Sequence, residues 1–385
     1  MEISNPKNKE KVAVVVVGYS RLNSIKRLLS SLIVANYPKE DVPLVISLDC
    51  SHNEQLYEFA RNFLWPYGNK YLIIHKKRLG LKAHIFSCGD LTNYFNAIIL
   101  LEDDLYVSTE FYKFAIAAVE KYNNSENIAG ISLYRHEFNG FAGFPFTPLN
   151  DGSDSFAIQT VVSWGQCWTR SMWESFRNWL CVNTIDFTKY DIPQQIKTWE
   201  RAWSKYYYAY ILACNKYYIF PYISLSTNFG DAGEHGDGGN SDWQVDLLNG
   251  PKNYFFKDFE SMVKYDVYLN NAELHHFFNI NKNNICIDLY GNNQNTKNKR
   301  YWLSVQLLPF KVEKKFALNL RPPELNIIKE IEGNDIFLYD TFTRFTVPVG
   351  NNISLIKYYI RSFNKFALLK YLLYCILKKF IKSKL

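Results

Sequence analysis

Residues 98–112 read IILLEDDLYVSTEFY. An unbroken aliphatic run passes directly into three carboxylates, Glu102, Asp103 and Asp104, and then into an aromatic segment. A run that is apolar at successive positions forms a strand buried on both faces, as in a parallel sheet. Three adjacent acids at the end of such a strand repel one another and are poorly solvated. Either water or a cation has to compensate them.

The chain around this stretch alternates between strand and helix patterns. KVAVVVVG (11–18) predicts a first buried strand, and Ile25, Leu28, Leu29, Leu32 and Ile33 predict a helix over 23–35. Strands are predicted at 43–48, 71–75, 97–101 and 128–133, with helices near 54–64, 84–95 and 109–122. This alternation indicates an α/β fold, Rossmann-like, with a largely parallel central sheet flanked by helices. In such sheets ligands collect at the carboxyl ends of strands, where Asp49 and the acidic triplet both fall. Further on, 140–160 reads as loops, 170–180 and 195–214 as helices, and 217–224 as a strand. The glycine-rich stretch 228–242 reads as a mobile loop. Residues 251–350 are less regular, with strand-like pieces at 284–290 and 334–347.

Composition narrows the function classes. Nearly half of the 385 residues are hydrophobic, enough for a sizeable core. The net charge of +7 is localised: residues 352–385 hold eight basic residues and no acid, so the rest is close to neutral. No nucleic-acid partner is therefore expected. Seven scattered cysteines without a CxxC pair argue against a zinc ribbon or a disulfide framework and suit a reducing cytoplasm. No secretory signal is expected at MEISNPKNKE.

The first loop, GYSRLNS, lacks the glycine spacing of a dinucleotide fold and of a Walker A loop. An arginine there can instead meet a phosphate by paired hydrogen bonds. The triplet suits a hard divalent ion, Mn2+ or Mg2+, held by one or two carboxylates together with substrate phosphates. A solvated turn capping the following helix is the alternative.

Taken in order, VVVVGYSR (14–21), ISLDCS (46–51), KRLGLKAHIF (77–86) and IILLEDDLYVSTEFYKF (98–114) resemble the nucleotide-sugar half of a GT-A glycosyltransferase. EDDL before an aromatic-rich helix is similar to the N-acetylglucosaminyltransferase I branch. SWGQCWTRSMW (163–173), KTWERAW (197–203) and ISLSTNFGDAGEHGD (223–237) resemble segments of bacterial surface-glycan sugar transferases of the same superfamily. The resemblance covers roughly residues 10–245. It implies a GT-A domain over 1–250, with a nucleotide-sugar half near 10–135 and an acceptor half near 136–250. A region of unassigned role (251–350) and a basic amphipathic tail (351–385) follow.

The resemblance also implies roles. Asp104 would bind the metal, Glu102 and Asp103 would face the ribose and donor sugar, and Asp49 would contact the base or ribose. Tyr19 and Arg21 would lie along the nucleotide, with Arg78 and Lys82 near the phosphates or donor. Glu200, between Trp199 and Trp203, would be the general base of an inverting displacement. Relatives often carry Asp there, and Asp191 is the fallback. His235 would supply a metal ligand or a phosphate hydrogen bond from the glycine-rich loop. Trp164 and Trp168 fit either a sugar-stacking or a core role.

The tail FNKFALLKYLLYCILKKFIKSKL (363–385) is apolar, basic and acid-free, and its longest apolar stretch is too short to span a bilayer. It predicts contact with an anionic membrane surface, or else docking on the protein's own body. The expectation is a peripheral enzyme at the inner face of a bacterial membrane. It would move sugar from a nucleotide-sugar donor to a glycan or lipid-linked glycan acceptor in capsule or lipopolysaccharide synthesis. A sugar nucleotidyltransferase and a catalytically inactive carbohydrate-binding scaffold are the rival readings.

Overall fold

The computed structural model describes residues 3–38, 41–200, 202–233, 243–345, 350 and 353–382. Two compact units are present, 1–141 with 146–273, and 142–145 with 274–385.

The first unit is mixed α/β. Its opening half runs β1 (Val12–Gly18), α1 (Leu22–Ile33), β2 (Leu44–Leu48), α2 (Glu54–Asn62), β3 (Lys70–Ile74), α3 (Leu81–Gly89) and β4 (Ala97–Glu102). The short β5 (Leu105–Val107), α4 (Phe111–Tyr122) and β6 (Ile128–Ser132) follow, then the two-residue strand β7 (Phe138–Asn139); the next strand, β8 (Phe144–Pro145), belongs to the second unit. The closing half holds β9 (Ser155–Ile158), β10 (Gln166–Thr169), α5 (Arg170–Val182), α6 (Gln194–Lys197), α7 (Trp203–Ala213), β11 (Tyr217–Pro221), β12 (Ser226–Asn228) and β13 (Lys264–Tyr265).

Nine strands form the central sheet in the order β13-β9-β11-β6-β10-β4-β1-β2-β3. The pairings β1/β2, β2/β3, β1/β4, β6/β11 and β9/β13 are parallel, whereas β10 runs antiparallel to β4 and β6, and β9 antiparallel to β11. All seven residues of β1 are buried, as its β-branched run predicts. Val12, Val14 and Val16 share one core cluster with Ala97, Ile99 and Leu101 of β4 and the apolar faces of α1, α2 and α4. On the C-terminal side, Trp168 of β10 packs against Trp173 of α5 at 4.7 Å and Tyr207 of α7 at 5.8 Å between ring centroids.

The chain moves outward from β1 through β2 to β3 and then returns to place β4 on the other side of β1. This reversal leaves a crevice outside the carboxyl ends of β1 and β4, the place where doubly wound sheets bind ligands. Register completes the arrangement: Val17 pairs with Glu102, so Gly18–Arg21 and Asp103–Asp104 leave the sheet side by side.

Three sequence expectations change. Residues 155–158 form buried β9, not loop; four residues flanked by polar neighbours are too few for an alternation to register. The helix expected over 195–214 is broken between α6 and α7. A continuous helix would carry Trp199 and Trp203 on one face. Instead Trp203 is buried against Trp168 at 5.7 Å, while Trp199 is partly exposed and meets Tyr208 at 6.2 Å. Helix α3 begins at Leu81, earlier than the expected 84, behind Gly80 with φ +76°. Trp168 is fully buried, a core role.

The second unit contains β14 (Ile285–Asp288), β15 (Tyr301–Ser304), β16 (Phe310–Phe316), α8 (Glu324–Ile328), β17 (Ile336–Arg344), α9 (Ile353–Ile360) and α10 (Lys365–Lys382). Its sheet has the order β14-β15-β17-β16, and its buried apolar side chains include Ile285, Leu303, Leu308, Phe316, Ile336, Phe337, Leu338 and Tyr339. Strand β16, FKVEKKF, was not expected because its charged residues lie on an exposed strand face. In α10 the apolar side chains of Phe366, Leu369, Leu372, Leu373 and Leu377 are exposed. No helix among the described residues is long and apolar enough to cross a membrane.

Candidate functional site

A cavity of about 640 Å³ opens at the β1/β4 crevice. Its walls include Tyr19 and Arg21 after β1, Asp49 after β2, Arg78 and His84 around the start of α3, Glu102 at the end of β4, and Asp103 and Asp104 after it. Ser163, Trp199, Trp203, Ser204, Asp231 and Gly233 close it. Seven of the sequence-predicted residues therefore meet in one place.

The acidic turn has a cation of its own, which answers the question raised by the triplet. The Arg21 guanidinium makes a two-point contact with the buried Asp103 carboxylate, through Nη2 to Oδ1 and through Nε to Oδ2 at 3.3 Å. Its Nη2 also lies 3.3 Å from Oδ2 of Asp104. Fork-to-carboxylate pairing of this kind is the strong class of ion pair. Burial still pushes Asp103 up to about 6, further than Arg21 pulls it down, with Asp104 and Asp231 adding to the rise. Glu102 is raised well above the usual carboxylate range by burial and by its two acidic neighbours. Its Oε1 is inaccessible to solvent and has no hydrogen-bond partner among the described residues.

Those features suit a hard divalent ion. A buried carboxylate oxygen without a donor facing it can be completed by a water or by a cation. Among the described residues no three metal-ligating side-chain atoms converge at this turn. An ion there would take one or two carboxylate oxygens and complete its shell with phosphate oxygens and water, the usual habit of Mg2+.

Asp49 is held differently. The backbone N–H groups of Cys50 and Leu79 donate to its Oδ1, each at 2.8 Å, and that of Gly80 donates to Oδ2 at 2.9 Å. Burial disfavours its charge, but these three donors outweigh that cost and hold the carboxyl below its ordinary value. Asp49 thus fixes the 79–80 loop, and with it Arg78, whose guanidinium lies 4.9 Å from the Tyr19 ring centroid. Next to it, the Ser47 hydroxyl is 2.8 Å from Nε2 of His84. Burial, reinforced by His75 and opposed by Asp49, pushes His84 down to about 4, so the imidazole on the cavity wall is neutral.

Several expected residues are placed elsewhere. The Lys82 ammonium lies over the Tyr206 ring at 4.6 Å and donates to its hydroxyl at 3.3 Å, and Lys82 is not among the cavity walls. Glu200 is exposed in the break between α6 and α7; Trp199 and Ala202 on either side of it line the cavity, but Glu200 does not. Asp191 accepts a hydrogen bond from the Tyr268 hydroxyl at 2.8 Å, also away from the walls. Trp164 packs between Tyr134 and Trp243. His235 lies outside the described residues.

One group went unnoticed in the sequence. The Asp231 carboxylate accepts from the Ser24 hydroxyl at 2.7 Å and pairs with Arg27, while its carbonyl accepts from Nη1 of Arg21 at 3.4 Å. Arg27 also stacks on Phe229, 3.8 Å from the ring centroid. The available signal was the spacing of Arg21, Ser24 and Arg27, three apart and hence on one helix face. Their partner, more than 200 residues away, could not be read from it.

No protein-family model matches the chain, and no curated protein matches it. Parts of the chain align with solved structures. TarS 1–349 of S. aureus is 14% identical over 56% of this chain and 59% of that one, with a TM-score of 0.37. GalNAc-T7, with UDP, GalNAc and Mn2+, is 15% identical over 57% of this chain and 43% of that one, with a TM-score of 0.38. The mannosyltransferase PcManGT from Pyrobaculum calidifontis, with GDP-Man and Mn2+, is 12% identical over 46% and 48%, with a TM-score of 0.30. The chain spans less than two thirds of the length of each. At these scores the reading of the site rests on its own residues.

The Asp49 loop yields a pH prediction. Because the folded value lies below the unfolded one, the carboxylate contributes stability that is fully present above about pH 4 and is lost as pH falls through the folded value. Asp49→Asn should cost about 1–3 kcal/mol at neutral pH, since an amide nitrogen would face backbone donors. Urea unfolding at pH 7 and pH 3 should show a gap between wild type and variant that narrows in acid; a gap unchanged with pH would refute this role.

Proposed function

We propose that the protein is a metal-dependent, inverting glycosyltransferase of the GT-A type, using a nucleotide-sugar donor. The observation that carries this reading is the β1/β4 cavity, where an acidic turn with an orphaned carboxylate oxygen meets two arginines. A nucleoside diphosphate needs both features: cations for its phosphates and acceptors for its hydroxyl groups.

In this reading Asp104, with Glu102 beside it, holds Mn2+ or Mg2+. When bound, the ion acts as a Lewis acid on the phosphate leaving group. Arg21 and Arg78 meet the remaining phosphate charge, Tyr19 lies along the nucleotide, and Asp49 keeps the Arg78 loop in place. Asp103 stays ionised at neutral pH and orients Arg21. An acceptor hydroxyl attacks C1 of the sugar from the face opposite the departing diphosphate and gives its proton to Glu200. Support for Glu200 is its place in the 198–202 break, whose Trp199 and Ala202 line the cavity.

The acceptor is a glycan of a bacterial surface polysaccharide or lipopolysaccharide. The exposed apolar residues of α10, interleaved with Lys365 and Lys370 and free of acids, support contact with the anionic inner face of the membrane.

Hydrolysis of a panel of nucleotide sugars with Mn2+ and with chelator tests the donor half. One donor should turn over only with the metal, Asp104→Ala should lose at least about 100-fold, as expected when an electrostatic stabiliser is removed, and Glu200→Gln should lose transfer while keeping donor binding. A protein that neither turns over nor gains thermal stability with any donor is the inactive scaffold instead. Truncation after residue 362 should abolish co-sedimentation with vesicles containing anionic lipid and change nothing with zwitterionic vesicles. Equal co-sedimentation of both proteins would remove the tail from membrane binding.

A further inference from the structure

On the reading of this cavity as a nucleotide-sugar site, we infer that the donor's pyranose ring stacks on the indole of Trp199, which thereby helps to select the sugar.

The cavity has two ends of different chemistry. Its floor follows the neighbouring strands β2-β1-β4-β10, three spacings of about 4.8 Å, and the acidic turn stands after β4. On the β2 side the walls are Tyr19, Asp49, Arg78 and His84. On the β10 side they are Ser163, shortly before β10, and Trp199, Ala202 and Ser204 around the start of α7. In a nucleotide sugar the diphosphate lies between nucleoside and pyranose. With the diphosphate at the acidic turn, each of the other two parts takes one end.

Hydrogen-bonding capacity decides which. A pyranose carries several hydroxyl groups on one ring and needs free partners for them. At the β2 end the Asp49 carboxylate already accepts three backbone N–H groups, and Nε2 of His84 is engaged by the Ser47 hydroxyl. At the β10 end the hydroxyls of Ser163 and Ser204 and the indole N–H of Trp199 have no hydrogen-bond partner among the described residues. The pyranose therefore belongs at the β10 end.

Trp199 is set apart from the tryptophans near it. Trp168, Trp173 and Trp203 are 0%, 1% and 2% exposed, whereas Trp199 is 36% exposed on the cavity wall, so it is not core. The break between α6 and α7 makes this difference, because it separates Trp199 from the cluster that holds Trp203. An indole face is broad and apolar, and it matches the face of a pyranose on which C–H bonds gather. Its few rotatable bonds make ordering it cheap. A ring stacked there turns its hydroxyl edge toward Ser163 and Ser204.

The test is calorimetric binding to the full chain with Mn2+ present, comparing UDP with UDP-GlcNAc and UDP-galactose, and GDP with GDP-mannose. Binding is read and turnover is not, so any shift of the adjoining Glu200 does not enter. For the ligands that wild type binds, Trp199→Ala should weaken the sugar nucleotide about fivefold or more, the scale of one aromatic contact, and leave the bare nucleotide unchanged. Trp199→Phe, which keeps a ring, should lose less than Trp199→Ala. In a folded Trp199→Ala, an equal loss for nucleotide and sugar nucleotide, or no loss for either, overturns the inference and leaves the nucleotide-sugar reading standing. Saturation-transfer NMR on wild type needs no variant to fold: the pyranose C–H protons should be saturated as strongly as those of the base. Saturation confined to base and ribose overturns the inference as well. Binding of none of these ligands overturns both.

Discussion

The Arg21–Asp103 ion pair is the contact around which the cavity is organised. Parallel strands all deliver their carboxyl ends to one edge of the sheet, and here two neighbouring strands deliver opposite charges. Three acids ending a buried strand would otherwise be left with little solvent and no counter-charge, a state that costs several kcal/mol per ion. The guanidinium relieves it and draws the β1 loop, the β4 turn and the segment after β12 into one network. Glu102 stays outside this network with an unmet oxygen.

Much of this was legible in the sequence, because the first half of the fold is written in burial. Runs such as VAVVVV and IILL have one stable environment, and the helices between them carry a single apolar stripe, so the alternation emerges directly. The acidic triplet and the GYSR loop could be marked as functional for the same reason: their residues contradict the strands that lead into them. Their pairing was not legible. Arg21 and Asp103 are 82 positions apart, and only the register that sets Val17 opposite Glu102 brings them together.

The second half was harder to read because its elements are short and its contacts aromatic. QCWT in the middle of the sheet and SFAI beside its edge strand are four residues each, and no periodicity can be counted over four positions. TWERAW carries helix spacing yet breaks, since Trp203 belongs to the Trp168 cluster and Trp199 to the cavity rim. Tertiary packing overrode local propensity there. Glu200 was singled out as part of a helix and sits in the break instead, which changes what can reach it. Asp231 lies in a glycine-rich stretch without periodicity, so its contacts with Ser24 and Arg27 could not be read from the sequence.

The second unit buries apolar side chains from all four of its strands, Ile285, Leu303, Phe316 and Leu338 among them, while α10 leaves apolar residues open to solvent beside lysines. Large exposed apolar patches commonly mark surfaces that meet a partner or a membrane.

The central claim is that the crevice between the ends of β1 and β4 holds a donor diphosphate. A crystal soaked with Mn2+ and UDP-GlcNAc or GDP-mannose tests it most directly, read by the anomalous signal of manganese. The account predicts one manganese peak beside the Asp104 carboxylate, with diphosphate density between it and the guanidinium groups of Arg21 and Arg78. Nucleotide bound at any other place, or a manganese peak remote from Asp104, would contradict it.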